Sequence, residues 1–142
     1  MKPIELTPNT FSYNSVDDKD VFSIISTIKK GVKFSTFNSI ALNSPFSLIE
    51  WSGFLNISER TMQRYKKERK SFDSNSSEKI IEIALLFKYG IEVFGNKEKF
   101  NTWLETKNVA LGGIVPKELL DNTFGINLLK DELTRIEYGV LA

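Results

Sequence analysis

Several features that support particular functions are missing from this chain. It has no cysteine and no histidine, which excludes disulfides, zinc-finger sites and every catalytic arrangement that needs histidine. No apolar run approaches the roughly 18–20 residues of a membrane-spanning helix, and the N-terminus lacks the basic-then-apolar pattern of a signal peptide. We therefore expect a cytoplasmic protein without a membrane segment.

Groups that could carry catalysis are also missing. Gly112-Gly113 has neither the strand–turn–helix context nor the lysine of a phosphate-binding loop. Glu132 and Arg135 are three residues apart, a spacing that predicts a surface ion pair on one helix. We expect the following carboxylates on solvated faces: Glu50, Asp121, Asp131 and Glu132. The sequence therefore predicts no enzyme, no catalytic residues, no metal site and no cofactor.

Charge is balanced overall but unevenly distributed. The 142 residues carry a net charge of +1, with 41% hydrophobic and 26% charged residues, as is ordinary for a globular protein. The stretch Ser58–Lys70 holds six Lys and Arg against two Glu, whereas Glu92–Ala142 holds six against eight acidic residues. A local basic stretch on a neutral chain is typical of a nucleic-acid-binding face.

The N-terminal half shows helical periodicity after an irregular start. Residues 1–20, rich in Pro, Asn and Asp, are expected to form an extended arm, which is either a leader without a role or a segment packing on a dimer partner. Apolar spacing predicts helices over Val21–Lys30, Val32–Leu42 and Phe46–Trp51. A turn containing glycine is expected at Ser52–Ile57.

The basic stretch follows that turn as a helix capped by Ser58. A helix, a turn and a capped helix rich in Arg, Thr and Gln are typical of a helix-turn-helix, whose second helix enters the major groove of DNA. Ile57, Met62 and Tyr65 would face inward. The alternative is a solvated face that balances an acidic partner. The predicted DNA-binding residues are Ser58, Arg60, Thr61, Gln63, Arg64, Lys66 and Lys67.

A polar segment and a long apolar helix follow. Ser71–Ser77 is interpreted as a hinge that also caps the next helix. Glu78–Phe94 is interpreted as a central helix that is apolar nearly all round and therefore buried on several sides. The predicted division is an arm at 1–20, a helix-turn-helix unit at 21–77, and the central helix with a C-terminal unit at 78–142. We expect a homodimer for two reasons. The central helix has apolar surface to spare, and helix-turn-helix proteins usually present two helices to the two half-sites of their DNA.

The C-terminal third is predicted to be a short helical unit. Gly95 ends the central helix, and further helices are expected over Glu98–Glu105 and Pro116–Asn122, with a break at Gly125. A last helix would bury one stripe, formed by Ile126, Leu129, Leu133, Ile136 and Val140. Apart from a brief pairing at Ile114-Val115, nothing indicates strands, so the fold class is all-α.

The sequence then ends on apolar residues, Tyr138–Ala142. Chain termini are more often polar and frayed. Val140 and Leu141 either pack into the core of this chain or are buried in a partner. The pattern alone leaves both alternatives open.

The C-terminal third carries six short motifs in order: Val93–Gly95, Trp103-Leu104, Ala110–Gly113 with Pro116, Leu119-Leu120, Phe124-Gly125 and Arg135–Val140. Together these motifs resemble the toxin-binding domain of the Xre/MbcA/ParS antitoxins. Two positions depart from the family pattern: Phe100 replaces a common alanine, and Gly90 precedes the motif, so we expect a repacked core or a bend there. The sequence pattern of Ser58–Tyr65 likewise resembles the recognition helix of the Xre-type helix-turn-helix.

The resemblance implies an antitoxin of a type II toxin–antitoxin pair. Its partner would be a toxin of the RES type, which consumes NAD⁺, and its second ligand would be operator DNA, through which it represses its own operon. The alternatives are a plain transcriptional regulator whose C-terminal unit serves dimerisation, and a pole-localisation or adaptor protein. The residues expected to contact the toxin and cover its NAD⁺ cleft are Arg135, Glu137, Tyr138, Gly139, Val140, Leu141 and Ala142.

Overall fold

The structure, a computed structural model, describes residues 18–139, with side chains from residue 21 onward. Seven α-helices lie in this part of the chain, with two short 3-10 turns at Val109–Leu111 and Pro116–Leu119. The described residues form no strand, only isolated bridges that pair Lys33 with Ser71 and Asn108 with Ile114. The all-α prediction is confirmed, as is the brief pairing at Ile114. The helices are α1 (Asp18–Lys30), α2 (Phe34–Leu42), α3 (Leu48–Phe54), α4 (Glu59–Glu68), α5 (Ser74–Phe94), α6 (Lys97–Glu105) and α7 (Thr123–Glu137).

Helix α5 is the centre of the fold and packs against α1, α6 and α7. Asp73 caps its start by accepting a hydrogen bond from the Ser76 N–H at 2.7 Å. Gly95 ends it in the left-handed conformation, with φ at 84°, where a glycine carries no Cβ penalty. The prediction of a long helix buried on several sides is confirmed. Its buried apolar residues include Ile80, Ile81, Ile83, Leu86 and Phe87.

The segment interpreted as a polar hinge contains the predicted helix cap, at Asp73, and is buried at three of its residues, Phe72, Ser76 and Ser77. Phe72 is buried, and Ser77, in the first turn of α5, is fully buried. The Ser77 hydroxyl accepts the Val32 N–H at 2.8 Å and donates to the Phe72 carbonyl at 3.3 Å. The hinge prediction is wrong because small serines near a helix start satisfy buried backbone groups here.

The turn between α3 and α4 lies within the predicted segment Ser52–Ile57 but starts later in it. Gly53 is inside α3, and the left-handed residue of the turn is Asn56, with φ at 56°. Asparagine tolerates this conformation better than most residues. Ser47 begins α3 as half of a capping box with Glu50, so the predicted helix Phe46–Trp51 is displaced toward the C-terminus.

Two predictions about the C-terminal unit are also wrong. The expected helix Pro116–Asn122 is only the 3-10 turn Pro116–Leu119, and Gly125 does not break the chain. Gly125 lies in the first turn of α7, where a Cβ would collide with the backbone carbonyl of Leu119. Glycine is therefore needed at this position for close packing and not for a turn.

The two departures from the family pattern compensate for each other. A Cβ at Gly90 would collide with the ring of Phe100, which is almost fully buried and packs edge-on against Phe87 at 5.7 Å between ring centroids. Glycine at position 90 therefore makes the space that the large side chain at position 100 fills. The expected repacking of the core is confirmed.

Candidate functional site

The first candidate surface is the outer face of α4. Ser58 caps this helix by accepting the Thr61 N–H at 3.0 Å, and its hydroxyl also donates to Thr61 Oγ1 at 2.9 Å. Met62 is buried, and the Tyr65 ring packs edge-on against Phe72 at 5.3 Å. The inward face is therefore as predicted, and it fixes which side chains point outward.

The outward side chains of α4 form a basic surface. Among the described residues, none of its four cations is within 4.0 Å of a carboxylate oxygen; the one ion pair at this end of the helix joins Lys70 to Glu68 at 3.5 Å. Thr61 is half-buried and hydrogen-bonded to the Ser58 cap, so it is less available for DNA contacts than its neighbours. Of the other predicted DNA-binding residues, those exposed are Ser58, Arg60, Gln63, Arg64, Lys66 and Lys67.

The second candidate surface is the end of α7. Arg135 Nη1 donates to Glu132 Oε2 at 3.0 Å, but Glu132 is buried and not solvated as predicted. Glu137 Oε1 lies 3.1 Å from the hydroxyl of Tyr89, which is also 3.1 Å from Thr134 Oγ1. Burial raises the pKa of the Tyr89 phenol, so this group stays a neutral hydrogen-bonding partner. These contacts hold two predicted toxin-contacting side chains in place.

The chain leaves α7 at Tyr138 and Gly139. Tyr138 is 71% exposed, and Gly139 adopts φ of 66°, a conformation that does not continue a right-handed helix. The remaining predicted toxin-contacting residues, Val140, Leu141 and Ala142, lie outside the described residues, as does most of the predicted arm at 1–20.

Sequence reasoning missed an exposed apolar row on α7. Phe124 is 89% exposed and Leu128 is also exposed. Together with Arg135 they recur at helical spacing, so all three lie on one face. Ile136 was predicted to be buried but is exposed as well. The signal for Phe124 was its place in the family motif Phe124-Gly125.

Contacts also join the helix-turn-helix unit to the C-terminal unit. The carbonyl of Asp121, one residue before the α7 cap, accepts from Lys79 Nζ at 2.8 Å and from Asn56 Nδ2 at 3.4 Å. Lys117 Nζ lies 2.7 Å from Glu105 and 3.4 Å from Glu50, and the hydrogen bond to Glu105 raises its pKa. The turn before α4 and the loop before α7 are therefore hydrogen-bonded to each other.

Two further properties of the described residues concern metals and membranes. Residues 21–139 contain no group of three or more acidic, His or Cys side chains suited to a metal ion. In the same part of the chain, no helix combines the length and apolar character that crossing a bilayer requires.

This architecture defines a helix-turn-helix protein with an appended helical domain. Residues 23–85 match the model of the antitoxin Xre-like helix-turn-helix domain, and residues 90–139 match that of the antitoxin Xre/MbcA/ParS C-terminal toxin-binding domain. The chain belongs to the Xre antitoxin family, which confirms the resemblance. It is similar to Antitoxin Xre of Yersinia enterocolitica, with 27% identity over 120 residues, covering 84% of this chain and 81% of the relative.

Proposed function

We propose that this antitoxin neutralises a RES-type, NAD⁺-consuming toxin by covering its active site with the end of α7 and the residues that follow. The observation that carries this proposal is the match of residues 90–139 to a toxin-binding domain, whose last helix exposes polar and apolar groups on one side. The RES type comes from the family resemblance. In this mechanism the chain acts by binding and has no catalytic step of its own.

The contacts at α7 support a docking role for each predicted residue. Arg135 and Glu137 are exposed, yet each is held by a neighbour, Glu132 and Tyr89 respectively. Binding therefore orders fewer side-chain rotamers than it would for free side chains. Tyr138 supplies an aromatic group of the kind enriched at interaction hot spots. We propose that Gly139, Val140, Leu141 and Ala142 enter the NAD⁺ cleft of the toxin.

The second part of the proposal is operator binding and autorepression through α4. In a helix-turn-helix, donors on the second helix reach base edges and phosphates in the major groove. Arg60, Gln63 and Arg64 would contact bases, since Arg pairs bidentately with guanine and Gln with adenine. Ser58, Thr61, Lys66 and Lys67 would contact phosphates. The exposed, unneutralised cations of α4 support this assignment.

Growth rescue tests the toxin-binding part. The reading frame adjacent to this gene is induced alone, with the full-length antitoxin, or with a chain truncated after Tyr138; colonies are counted and cellular NAD⁺ is assayed. We expect arrest with loss of NAD⁺, rescue by the full-length chain, and failure of the truncated chain, because losing a buried anchor weakens binding by about 100-fold or more.

The matched control is Arg60→Ala/Arg64→Ala, which should rescue growth fully while losing operator binding. Circular dichroism of the truncated chain checks that it stays folded. Rescue by the truncated chain would place the inhibitory contact elsewhere on the domain, and arrest without NAD⁺ loss would exclude a RES-type partner. If the product of the adjacent reading frame is not toxic, the alternative of a plain transcriptional regulator is favoured instead.

We also propose that the chain is a homodimer and that its units divide at residues 1–20, 21–77 and 78–142. Helix α1 supports a dimer, because it packs on α5 with one side and exposes Val21, Phe22 and Ile25 on another. Sedimentation equilibrium at micromolar concentration should give twice the 16.2 kDa mass of one chain, and Phe22→Ser should give a monomer. Leu42→Ser, which changes an exposed residue of α2, is the control. A monomeric wild type contradicts the proposal.

A further inference from the structure

A second basic surface lies beside α4 and shares only Lys66 with the residues predicted to bind DNA. It is a concavity between the start of α2 and the end of α4, and no carboxylate of the described residues lines it. In the same part of the chain, its cations are in no ion pair within 4.0 Å, unlike the neighbouring Lys70. The side chains that line it with charge or hydrogen-bonding groups are Lys33, Ser35, Asn38, Lys66, Arg69 and Ser71.

The fold holds the two sides of this concavity together. The Phe72 N–H donates to the Val32 carbonyl at 2.9 Å, and Lys33 is bridged to Ser71 in antiparallel fashion. At Gly31, φ is 89°, and a Cβ would collide with the Phe72 carbonyl. The buried Ser77 hydroxyl joins both segments, as described above. The backbone positions of Lys33 and Arg69 are therefore fixed before any ligand binds, which lowers the entropic cost of binding.

Arg69 has an unusual backbone conformation. It ends α4 in the left-handed region, with φ of 53° and ψ of 42°, where glycine or asparagine costs less than a residue with a long side chain. Strained residues of this kind cluster at functional sites. A guanidinium at this position places a permanent charge at the edge of the concavity, which glycine or asparagine would not provide.

We propose that Lys33, Lys66 and Arg69 bind a backbone phosphate of the DNA duplex whose major groove α4 enters. This inference rests on the proposed DNA binding. The N-terminal part of a recognition helix contacts base edges, so Lys66 and Arg69 at the other end of α4 lie toward the sugar–phosphate backbone. Three clustered cations with the neutral donors of Ser35 and Asn38 suit a phosphodiester. The contact adds affinity and orientation without reading sequence.

The test is the salt dependence of binding by the full-length chain. The probes are a duplex with the sequence upstream of its own gene and a scrambled duplex of equal length. Lys33→Gln/Arg69→Asn should lower the magnitude of the slope of log K against log salt by up to about 0.9, the contribution of one phosphate contact. Both duplexes should weaken by the same factor. Asparagine suits the left-handed position, so the thermal midpoint should not fall.

Lys99→Gln/Lys107→Gln is the control, because it removes the same charge from exposed positions in the C-terminal unit. An unchanged slope in Lys33→Gln/Arg69→Asn would overturn this inference alone, provided that Arg60→Ala/Arg64→Ala abolishes preference for the operator. A selective loss on one duplex would overturn the phosphate assignment. No binding of either duplex by the wild type would overturn the inference together with the proposed DNA binding, and tighter binding of an equally long RNA would overturn the choice of DNA.

Discussion

Replacing Gly125 with alanine is expected to destabilise the folded chain by about 2–3 kcal/mol, the range for overpacking a filled site. The added methyl group would collide with the Leu119 carbonyl, which belongs to the backbone and has no alternative rotamer. Helix α7 would have to move away from the 3-10 turn that precedes it. Urea denaturation followed by circular dichroism measures the loss as a lower midpoint at an unchanged m-value.

The matched control is Gly53→Ala in α3. Gly53 is also helical, but a Cβ there meets no atom within 4 Å, so the same substitution should stabilise by up to about 1 kcal/mol through helix propensity. Opposite signs at the two positions would show that the contact with Leu119 decides the result. Equal stabilisation at both would mean that α7 does not pack against the 3-10 turn as described.

The second large effect is expected from the pair Gly90 and Phe100. Gly90→Ala should cost about 2 kcal/mol by collision with the buried ring, and Phe100→Ala about 3–5 kcal/mol through lost burial and a cavity. In the double variant the collision disappears, because the ring at position 100 is gone, and the alanine at position 90 favours the helix more than glycine does. The double variant should therefore be more stable than the two separate losses predict, by about 2–3 kcal/mol.

A double-mutant cycle by urea denaturation measures this coupling. Gly53→Ala combined with Phe100→Ala serves as the control pair, because position 53 does not contact the ring and the two effects should add within about 0.5 kcal/mol. Additive losses for Gly90→Ala and Phe100→Ala would refute the view that the two departures from the family pattern compensate for each other.

Much of the fold could be predicted from local rules. Ser58 and Gly95 were identified as helix ends because their physical roles depend only on neighbouring backbone groups. The apolar faces of α4 and α5 followed from helical spacing. The family resemblance rested on several short motifs in order, which is why it extended over both units.

The roles of the glycines were harder to predict, because glycine can serve either to turn the chain or to allow close packing. Gly53 and Gly125 were interpreted as breaks in the chain, yet both are helical. Local sequence reveals where a backbone is free to turn, but the close approach of Leu119 to Gly125 depends on the tertiary arrangement. The same holds for Ser77 and Glu132, whose polarity predicted exposure although the folded chain buries both.

The candidate surfaces were predictable to different degrees. The outward cations of α4 followed directly from the inward positions of Met62 and Tyr65. The exposure of Phe124 on α7 did not, because tertiary packing decides which face of a helix is covered. Lys33 in the second basic concavity did not either, since it is distant in sequence from Lys66 and Arg69. Only the packed structure brings such positions to one surface.

Helix α5 runs without a break through residues 85–90, where one family match ends and the other begins. Exchange of C-terminal domains between relatives would therefore need a crossover inside a helix. Adding or losing one residue there would rotate everything downstream by about 100° and shift it by about 1.5 Å, separating Asp121 from Lys79 and Asn56. A recombination that keeps these contacts must therefore preserve the residue count of this helix.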